Sequence, residues 1–80
     1  MDKEGVDSKE CIFQEENKDY RAAGSDITLL EALSFPMCCA FCDQNPQCKF
    51  VTFAPGSRMC YLKRTMGMEV DAEGLISGGV

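Results

Sequence analysis

The 80-residue sequence contains no histidine, and this absence argues against several kinds of functional site. Mixed Cys/His zinc sites and histidine general bases both need an imidazole. The serines and lysines have no recognisable catalytic partners, and the carboxylates crowd the termini, where solvated surface is the simpler interpretation. We therefore expect neither catalysis nor a bound metal or cofactor.

Long apolar segments are also missing. No run approaches the ~18 residues of a membrane-spanning helix, so no membrane insertion is expected. The opening residues, MDKEGVDSKE, lack the basic and apolar regions of a signal peptide. They are polar and unpatterned, which predicts a flexible linker arm at residues 1–9 before a folded domain at residues 10–80. The net charge of -5 argues against nucleic acid as a partner.

Cysteine, by contrast, is abundant, with six residues in the chain. A domain this small buries little apolar surface and often needs covalent help. An even number of cysteines without histidine predicts a disulfide scaffold, and disulfides imply a secreted or lumenal setting. Because no signal peptide is present, we expect an excised module of a longer secreted protein.

One short helix is predicted in the middle of the chain. Ser34 is a good N-cap, and Pro36 suits the first helical turn. The helix should reach about Gln44, because Pro46 disfavours helical conformation in the residue before it.

This helix carries three of the cysteines. Cys38 and Cys42 share one helical face, whereas Cys39 points about 100° away. Cys48 lies just beyond the helix and suits a tight closure with Cys42, which leaves Cys60 for Cys38. The expected disulfides are Cys38–Cys60, Cys42–Cys48 and Cys11–Cys39.

Other uses of these cysteines fit less well. Cys39 and Cys42 form a CxxC, but a redox site places its first thiol at a helix N-terminus, and Cys39 lies inside the helix. A zinc site of four cysteines needs a second close pair, which the spacing from Cys42 to Cys48 and on to Cys60 does not supply.

Short strands are predicted on both sides of the helix. Extended segments are expected at residues 11–14, from Tyr20, at 27–30, at 49–53 and at 59–63. The polar run EENKD is expected to be a turn. In the tail, MEV or GLIS is expected to add a closing strand, and the final SGGV to leave the domain as a linker.

The hairpin after the helix has a predicted phase. If Cys48 and Cys60 both face the helix, the residue numbers of two partners that pair across the hairpin must sum to an even number. This predicts a three- or five-residue loop or a bulge near Pro55–Ser57. The same phase turns Phe50, Thr52 and Leu62 toward the helix. It turns the following residues to the opposite face: Lys49, Val51, Phe53, Met59, Tyr61 and Lys63.

The CxxxCxxxxxC spacing from Cys38 to Cys48, followed by KFVTFAPGSRMCYLK, resembles the PAN/apple domain over roughly residues 11–77. This family includes modules of plasma prekallikrein, coagulation factor XI, the hepatocyte growth factor N-domain and apicomplexan micronemal adhesins. The closing GLISG together with CYLK is most similar to those adhesins, of the Eimeria multi-apple type. The resemblance implies an α+β module whose antiparallel sheet of about five strands cradles one helix. It also implies Cys38–Cys60 and Cys42–Cys48 as inner disulfides.

The sequence departs from the family at its outer bridge. Apple domains usually join the first cysteine to one near the C-terminus, but nothing follows Cys60 here and Cys39 is extra. Either Cys11–Cys39 replaces that bridge, or Cys11 pairs with a cysteine outside this sequence.

The resemblance implies a non-catalytic adhesion module of a secreted multidomain protein, held in a secretory organelle such as a microneme before release. Its partner is expected to be a protein or glycan on a cell surface or another adhesin, with neighbouring modules in the same chain. The alternatives are a lectin-like module for galactose-type or sulfated glycans and a structural spacer.

The outer face of the hairpin is the expected binding surface, because apolar and aromatic groups rimmed by cations suit a protein or a sugar. The candidate residues are Lys49, Phe53, Arg58, Tyr61, Lys63 and Arg64. The competing interpretations are that other strands cover this face as a second small core, and that the cations form a solvated rim.

Overall fold

The computed structural model describes residues 10–21, 24 and 26–80, so the expected linker arm at residues 1–9 lies outside it. The elements are β1 (Phe13–Arg21), β2 (Asp26–Glu31), α1 (Phe35–Asp43), β3 (Phe50–Ala54), β4 (Met59–Lys63) and β5 (Met68–Gly79). The strands form one five-stranded antiparallel sheet in the order β1-β5-β3-β4-β2. This confirms the expected α+β class, with one helix against a five-stranded sheet.

The helix begins and ends where the local signals predicted. The Ser34 hydroxyl accepts a hydrogen bond of 3.2 Å from the Met37 backbone N–H and so caps the first turn. Pro36 lies in that turn, where it removes no intrahelical hydrogen bond. Gln44 is the C-cap.

Three disulfides attach the helix to its surroundings. Two bind it to other parts of the domain, and the third closes its C-terminal end. The bonded pairs are Cys11–Cys39, Cys38–Cys60 and Cys42–Cys48, the same pairs that the sequence led us to expect. Around them lies the core between helix and sheet, which also contains Phe35, Val51, Phe53 and Leu62.

The phase of β3 is opposite to the one expected. Phe53 pairs with Cys60, so the residue numbers of paired positions sum to an odd number. The connecting loop has four residues, 55–58. The expected odd-length loop or bulge was therefore wrong. The error came from Cys48, which lies ahead of the strand and therefore does not set its alternation. Val51 and Phe53 consequently pack toward the helix. The opposite face carries Phe50 and Thr52, together with Tyr61 and Lys63.

The polar run EENKD is part of a strand instead of the expected turn. β1 continues through it with a bulge in the β1–β5 ladder at Asn17, which has φ 63 and lies at a register shift between Glu16 and Lys18; the extra residues of the bulge are on β5. On β5, residues 72–75 lie opposite this point, and the Gly74 N–H donates to Asn17 Oδ1 at 2.9 Å. Beyond the bulge the β1–β5 ribbon bends over the helix-free face of the sheet. Its Asp19 carboxylate consequently comes within 3.9 Å of Lys63 on β4.

The end of the chain is also part of the sheet, so the expected exit linker at SGGV was wrong. Both MEV and GLIS belong to β5, whose last residues lie between β1 and β3. Gly78 and Gly79 are buried, and neighbouring groups occupy the space that a side chain at either position would need. A Cβ at Gly78 would lie 2.3 Å from the Phe13 carbonyl oxygen, and one at Gly79 would lie 2.6 Å from the Phe13 ring.

Candidate ligand-binding cleft

A cleft of about 730 Å³ opens on the sheet face opposite the helix. The bent β1–β5 ribbon forms one side, and β4 with the start of β2 forms the other. Its polar lining consists of Asp19, Arg21, Asp26, Thr52, Tyr61 and Lys63. Its apolar lining consists of Met68, Val70 and Leu75, all on β5.

A network of ion pairs crosses the cleft. Lys63 Nζ donates to Asp26 Oδ1 at 2.6 Å and lies 3.9 Å from Asp19 Oδ1. The other oxygen of Asp19 accepts from Arg21 Nε at 2.8 Å. The Lys63 side chain is only 6% exposed, so its charge is balanced mainly by these two carboxylates. Two acids and two bases give the cleft no formal net charge.

Several polar groups in the cleft remain open to a ligand. The Arg21 side chain is 68% exposed and that of Asp26 is 59% exposed. Among the described residues, nothing is hydrogen-bonded to the terminal nitrogens of Arg21, the second oxygen of Asp26 or the Tyr61 hydroxyl. The Tyr61 ring lies 5.8 Å from Lys63 Nζ, within the range of a cation–π contact. Thr52 is different, because its hydroxyl is already paired with Ser77 at 2.7 Å.

The ribbon wall is supported from behind by a second polar cluster. The buried Tyr20 packs edge-on against Phe50 at 5.9 Å and donates its hydroxyl proton to Glu15. Burial and this hydrogen bond raise the pKa of Tyr20. A hydrogen bond shared with Glu69 lowers the pKa of Glu15 and raises the pKa of Glu69.

An ion pair also joins the two strands of the ribbon. Lys18 Nζ lies 2.6 Å from Asp71 Oδ1, which lowers the pKa of Asp71 and raises that of Lys18. Both side chains lie on the bent portion beyond Asn17, so the pair lies on the part of the ribbon that lines the cleft.

The sequence profile of the PAN domain matches residues 11–77. The chain belongs to the PAN domain family. The resemblance recognised in the sequence is therefore confirmed. Members of this family are protein- or carbohydrate-binding modules, so the cleft is a candidate binding site.

Among solved structures, this chain is similar to the two N-terminal apple domains of Toxoplasma gondii microneme protein 4, with a TM-score of 0.69. The sequences are 22% identical; the match covers 82% of this chain and 43% of the other, so the likeness supports the fold. No curated protein matches the chain significantly. Within residues 10–21 and 26–80, no helix is long and apolar enough to cross a membrane.

The PAN domain brings together only some of the predicted binding residues. Tyr61 and Lys63 both line the cleft, although Lys63 is buried. The prediction that Phe53 lies on the binding face was wrong. The observed phase of β3 places it in the helix-side core, where it is 4% exposed. Arg58 lies in the 55–58 loop, at the other end of β4 from Lys63.

The remaining two cations lie near the end of the hairpin. Lys49 is exposed just ahead of β3, and its backbone N–H donates to the Lys63 carbonyl at 2.9 Å. Arg64 donates to the Gly24 carbonyl at 3.1 Å and to Gln47 Oε1 at 3.4 Å. Their part in ligand binding stays a prediction.

The sequence did not lead us to most of the residues that line the cleft. The residues on β1 and β5 reach the cleft because the ribbon bends at Asn17, where the side chain accepts a hydrogen bond from Gly74, 57 positions away. The alternation of Asp19 and Arg21 around a buried Tyr20 was the available local signal for a strand with a charged face. Thr52 was missed because of the wrong phase.

Proposed function

We propose that this PAN domain is a non-catalytic recognition module of a secreted multidomain attachment protein, and that it binds a cell-surface protein in the cleft. The cleft is the observation that carries the proposal. It is concave, it has an apolar wall, and a few polar groups converge in it, which are common features of binding sites. The disulfide-linked helix supports the sheet from behind, so the site is preorganised.

The chemistry of the rim fits a protein partner. Arg21 and Tyr61 belong to the residue types that most often dominate protein interfaces. Met68, 68% exposed, provides a flexible apolar contact next to them. A partner loop that inserted one side chain between Met68 and Tyr61 would bury apolar surface and find a hydrogen-bonding partner in Arg21.

A lectin-like function is the second candidate, supported by the charge balance of the cleft. Asp26 offers acceptor oxygens and Arg21 offers donors on a site without formal net charge, an arrangement that suits the hydroxyl groups of a neutral, galactose-type sugar. Sulfated glycans fit less well. Lys63 is already neutralised by two carboxylates, and Arg58 lies away from the cleft.

The setting follows from the same proposal. A domain with three disulfides is suited to the secretory route and the cell exterior, including storage in an organelle such as a microneme before release. Neighbouring modules of the same chain would raise the avidity of a weak single site. A pure spacer, the third alternative, would leave the open groups of Arg21 and Asp26 without a use.

A matched pair of arginine substitutions tests this function. Arg21→Gln removes a cation that lines the cleft, whereas Arg58→Gln removes an exposed cation outside it. The purified domain and both variants are measured for binding to cultured cells and to a glycan array. We expect Arg21→Gln to lose about tenfold in affinity and Arg58→Gln to bind like the parent. Equal binding by both variants, or no binding by the parent domain, would remove the cleft as a recognition site.

A further inference from the structure

Strand β2 lies at one edge of the sheet, with β4 as its neighbour on one side. Ala32 N–H donates to the Arg58 carbonyl at 2.9 Å, in register with the Leu30–Cys60 pair. In an antiparallel ladder, hydrogen-bonded and non-hydrogen-bonded positions alternate. The backbone groups of Leu29 and Glu31 therefore point away from β4. Among the described residues, no partner is seen for them.

The side chains of this edge are unusually apolar for an exposed strand. Leu29 is 48% exposed, and Leu33, just beyond the strand, is 65% exposed. They are two of four large apolar side chains that are this exposed among the described residues. Between them lies the exposed acid Glu31.

The opposite edge of the sheet is protected against strand addition. The regular conformation of β1 is broken at Asn17, which has φ 63 at the bulge in the β1–β5 ladder, and the strand carries Lys18 and Arg21; irregularities and cations are common devices against edge pairing. β2 has a register shift of its own between Asp26 and Thr28, but its ladder is regular from Thr28 to Glu31, where the outward-facing backbone groups lie. The two edges are therefore not equivalent, and β2 is the one that can accept another strand.

We infer that β2 is a docking edge for an extended peptide segment of the protein partner, which adds to the sheet as a further strand. This inference rests on the proposed function as a protein-recognition module. The main-chain groups of Leu29 and Glu31 would bond the added strand, and its alternate side chains would provide specificity. The partner segment carries an apolar residue beside Leu29 and a basic residue beside Glu31, because the edge offers an apolar side chain and an acid at those positions.

The docking edge is continuous with the cleft. Leu29 pairs with Tyr61, and Asp26, the first residue of β2, lines the cleft. One extended segment could therefore bond to the edge and place a side chain near Tyr61. A second copy of this chain is a poorer occupant, since each copy carries a net charge of -5 and the copies repel one another.

Two substitutions at Leu29 test the inference. Leu29→Pro removes the outward N–H and leaves the ladder to β4 intact, because proline is tolerated on an edge strand when its nitrogen faces solvent. Leu29→Thr keeps the N–H and the strand propensity while removing the apolar side chain. The probe is a phage-displayed library of random peptides of about twelve residues, selected on the oxidised parent domain.

We expect selected peptides with alternating apolar residues and at least one lysine or arginine. Affinity should fall about tenfold or more with Leu29→Pro and about threefold with Leu29→Thr. In the parent, hydrogen exchange at the Leu29 and Glu31 amides should slow when a selected peptide is bound, a readout that does not depend on either variant folding.

Three results would overturn the inference. They are an unchanged affinity in Leu29→Pro, peptides that leave exchange at Leu29 and Glu31 unaltered, and a failure to select any peptide. Self-association of the parent that Leu29→Pro abolishes would make a second copy the occupant and would equally contradict it. If binding to cells depends on Arg21 but one of these contradicting results is obtained, the proposed function stands and only the inference about the docking edge is lost.

Discussion

Lys63, the last residue of β4, donates a hydrogen bond of 2.6 Å to Asp26, the first residue of β2. The same amine lies 3.9 Å from Asp19 on β1, so one buried cation links three strands across the floor of the cleft. A lysine that the sequence suggested as a surface contact for a ligand is therefore first of all a structural residue of the site.

We predict that Lys63→Ala destabilises the domain. Without the amine, the largely buried Asp19 loses one of its two cations and Asp26 loses its hydrogen bond. Because Asp26 is mostly solvated, the expected loss is about 1–2 kcal/mol, below that for a fully buried pair. Lys49→Ala, at an exposed position, should change stability by less than about 0.5 kcal/mol. Urea unfolding of both variants measures this, and equal midpoints would contradict it.

We predict that alanine is not tolerated at Gly78. Its Cβ would lie 2.3 Å from the Phe13 carbonyl oxygen and 2.9 Å from Phe35 Cζ, and the backbone contact cannot be relieved by a side-chain rotation. We expect a loss of about 3 kcal/mol or more in the free energy of unfolding. Gly56→Ala is the matched control, because nothing lies within 4 Å of its added Cβ. A melting temperature for Gly78→Ala close to that of Gly56→Ala would refute the packing described for β5.

We predict that the disulfides differ in their contribution to stability according to the loop that each closes. The cysteines of Cys38–Cys60 are 22 residues apart in sequence, and replacing both should lower the free energy of unfolding by about 3 kcal/mol in the chain-entropy model. Replacing both cysteines of Cys42–Cys48, with a separation of 6, should cost about 2 kcal/mol. Paired alanine variants avoid free thiols, and denaturant unfolding compares them. A larger loss for the shorter loop would contradict this order.

We predict a pH dependence from the carboxyl pair behind the cleft wall. The hydrogen bond from Glu69 to Glu15 raises the pKa of Glu69 above its usual value of 4.5. The stability that this proton provides is therefore complete below about pH 4.5 and is lost as the pH rises through the folded-state pKa. Glu15, with a lowered pKa, contributes in the opposite sense, and its contribution is lost as the pH falls below 4.5.

Glu69→Gln separates these two contributions. The amide donates to Glu15 at every pH, so the variant should lose the decline in melting temperature that we expect of the parent as the pH rises above about 4.5. Glu73→Gln, an exposed glutamate of the same strand, is the control and should keep the parent's slope. The same slope in all three proteins would show that the pair does not share a proton.

Local signals predicted the helix well because the residues that decide it are neighbours in sequence. Ser34 and Pro36 define its start, and Pro46 prevents its continuation, whatever the rest of the chain does. The cysteines added long-range information, because the spacing of Cys38 and Cys42 limits which partners each can reach. The helix, the presence of the hairpin and the fold class could therefore be predicted from the sequence, but the phase of the hairpin could not.

The cleft could not be predicted in the same way. The facing direction of a strand residue is fixed by the ladder, and Cys48, the residue chosen to set the phase, lies two positions before β3 begins. The bulge at Asn17 is stabilised by a glycine distant in sequence, and without that contact EENKD has the composition of a turn. Gly78 suggested a linker for a similar reason, because its close packing against Phe13 exists only in the folded sheet.

The most direct test of the central claim is an NMR titration of the isotopically labelled, oxidised domain. The added ligand is the strongest binder from the glycan array or the peptide selection. We predict that amide shifts include Arg21, Tyr61 and Met68, which line the cleft, and that they extend to Leu29 and Glu31 of β2 when the ligand is a selected peptide. Shifts confined to the exposed surface of α1 or to the 55–58 loop, with the cleft unchanged, would contradict the account.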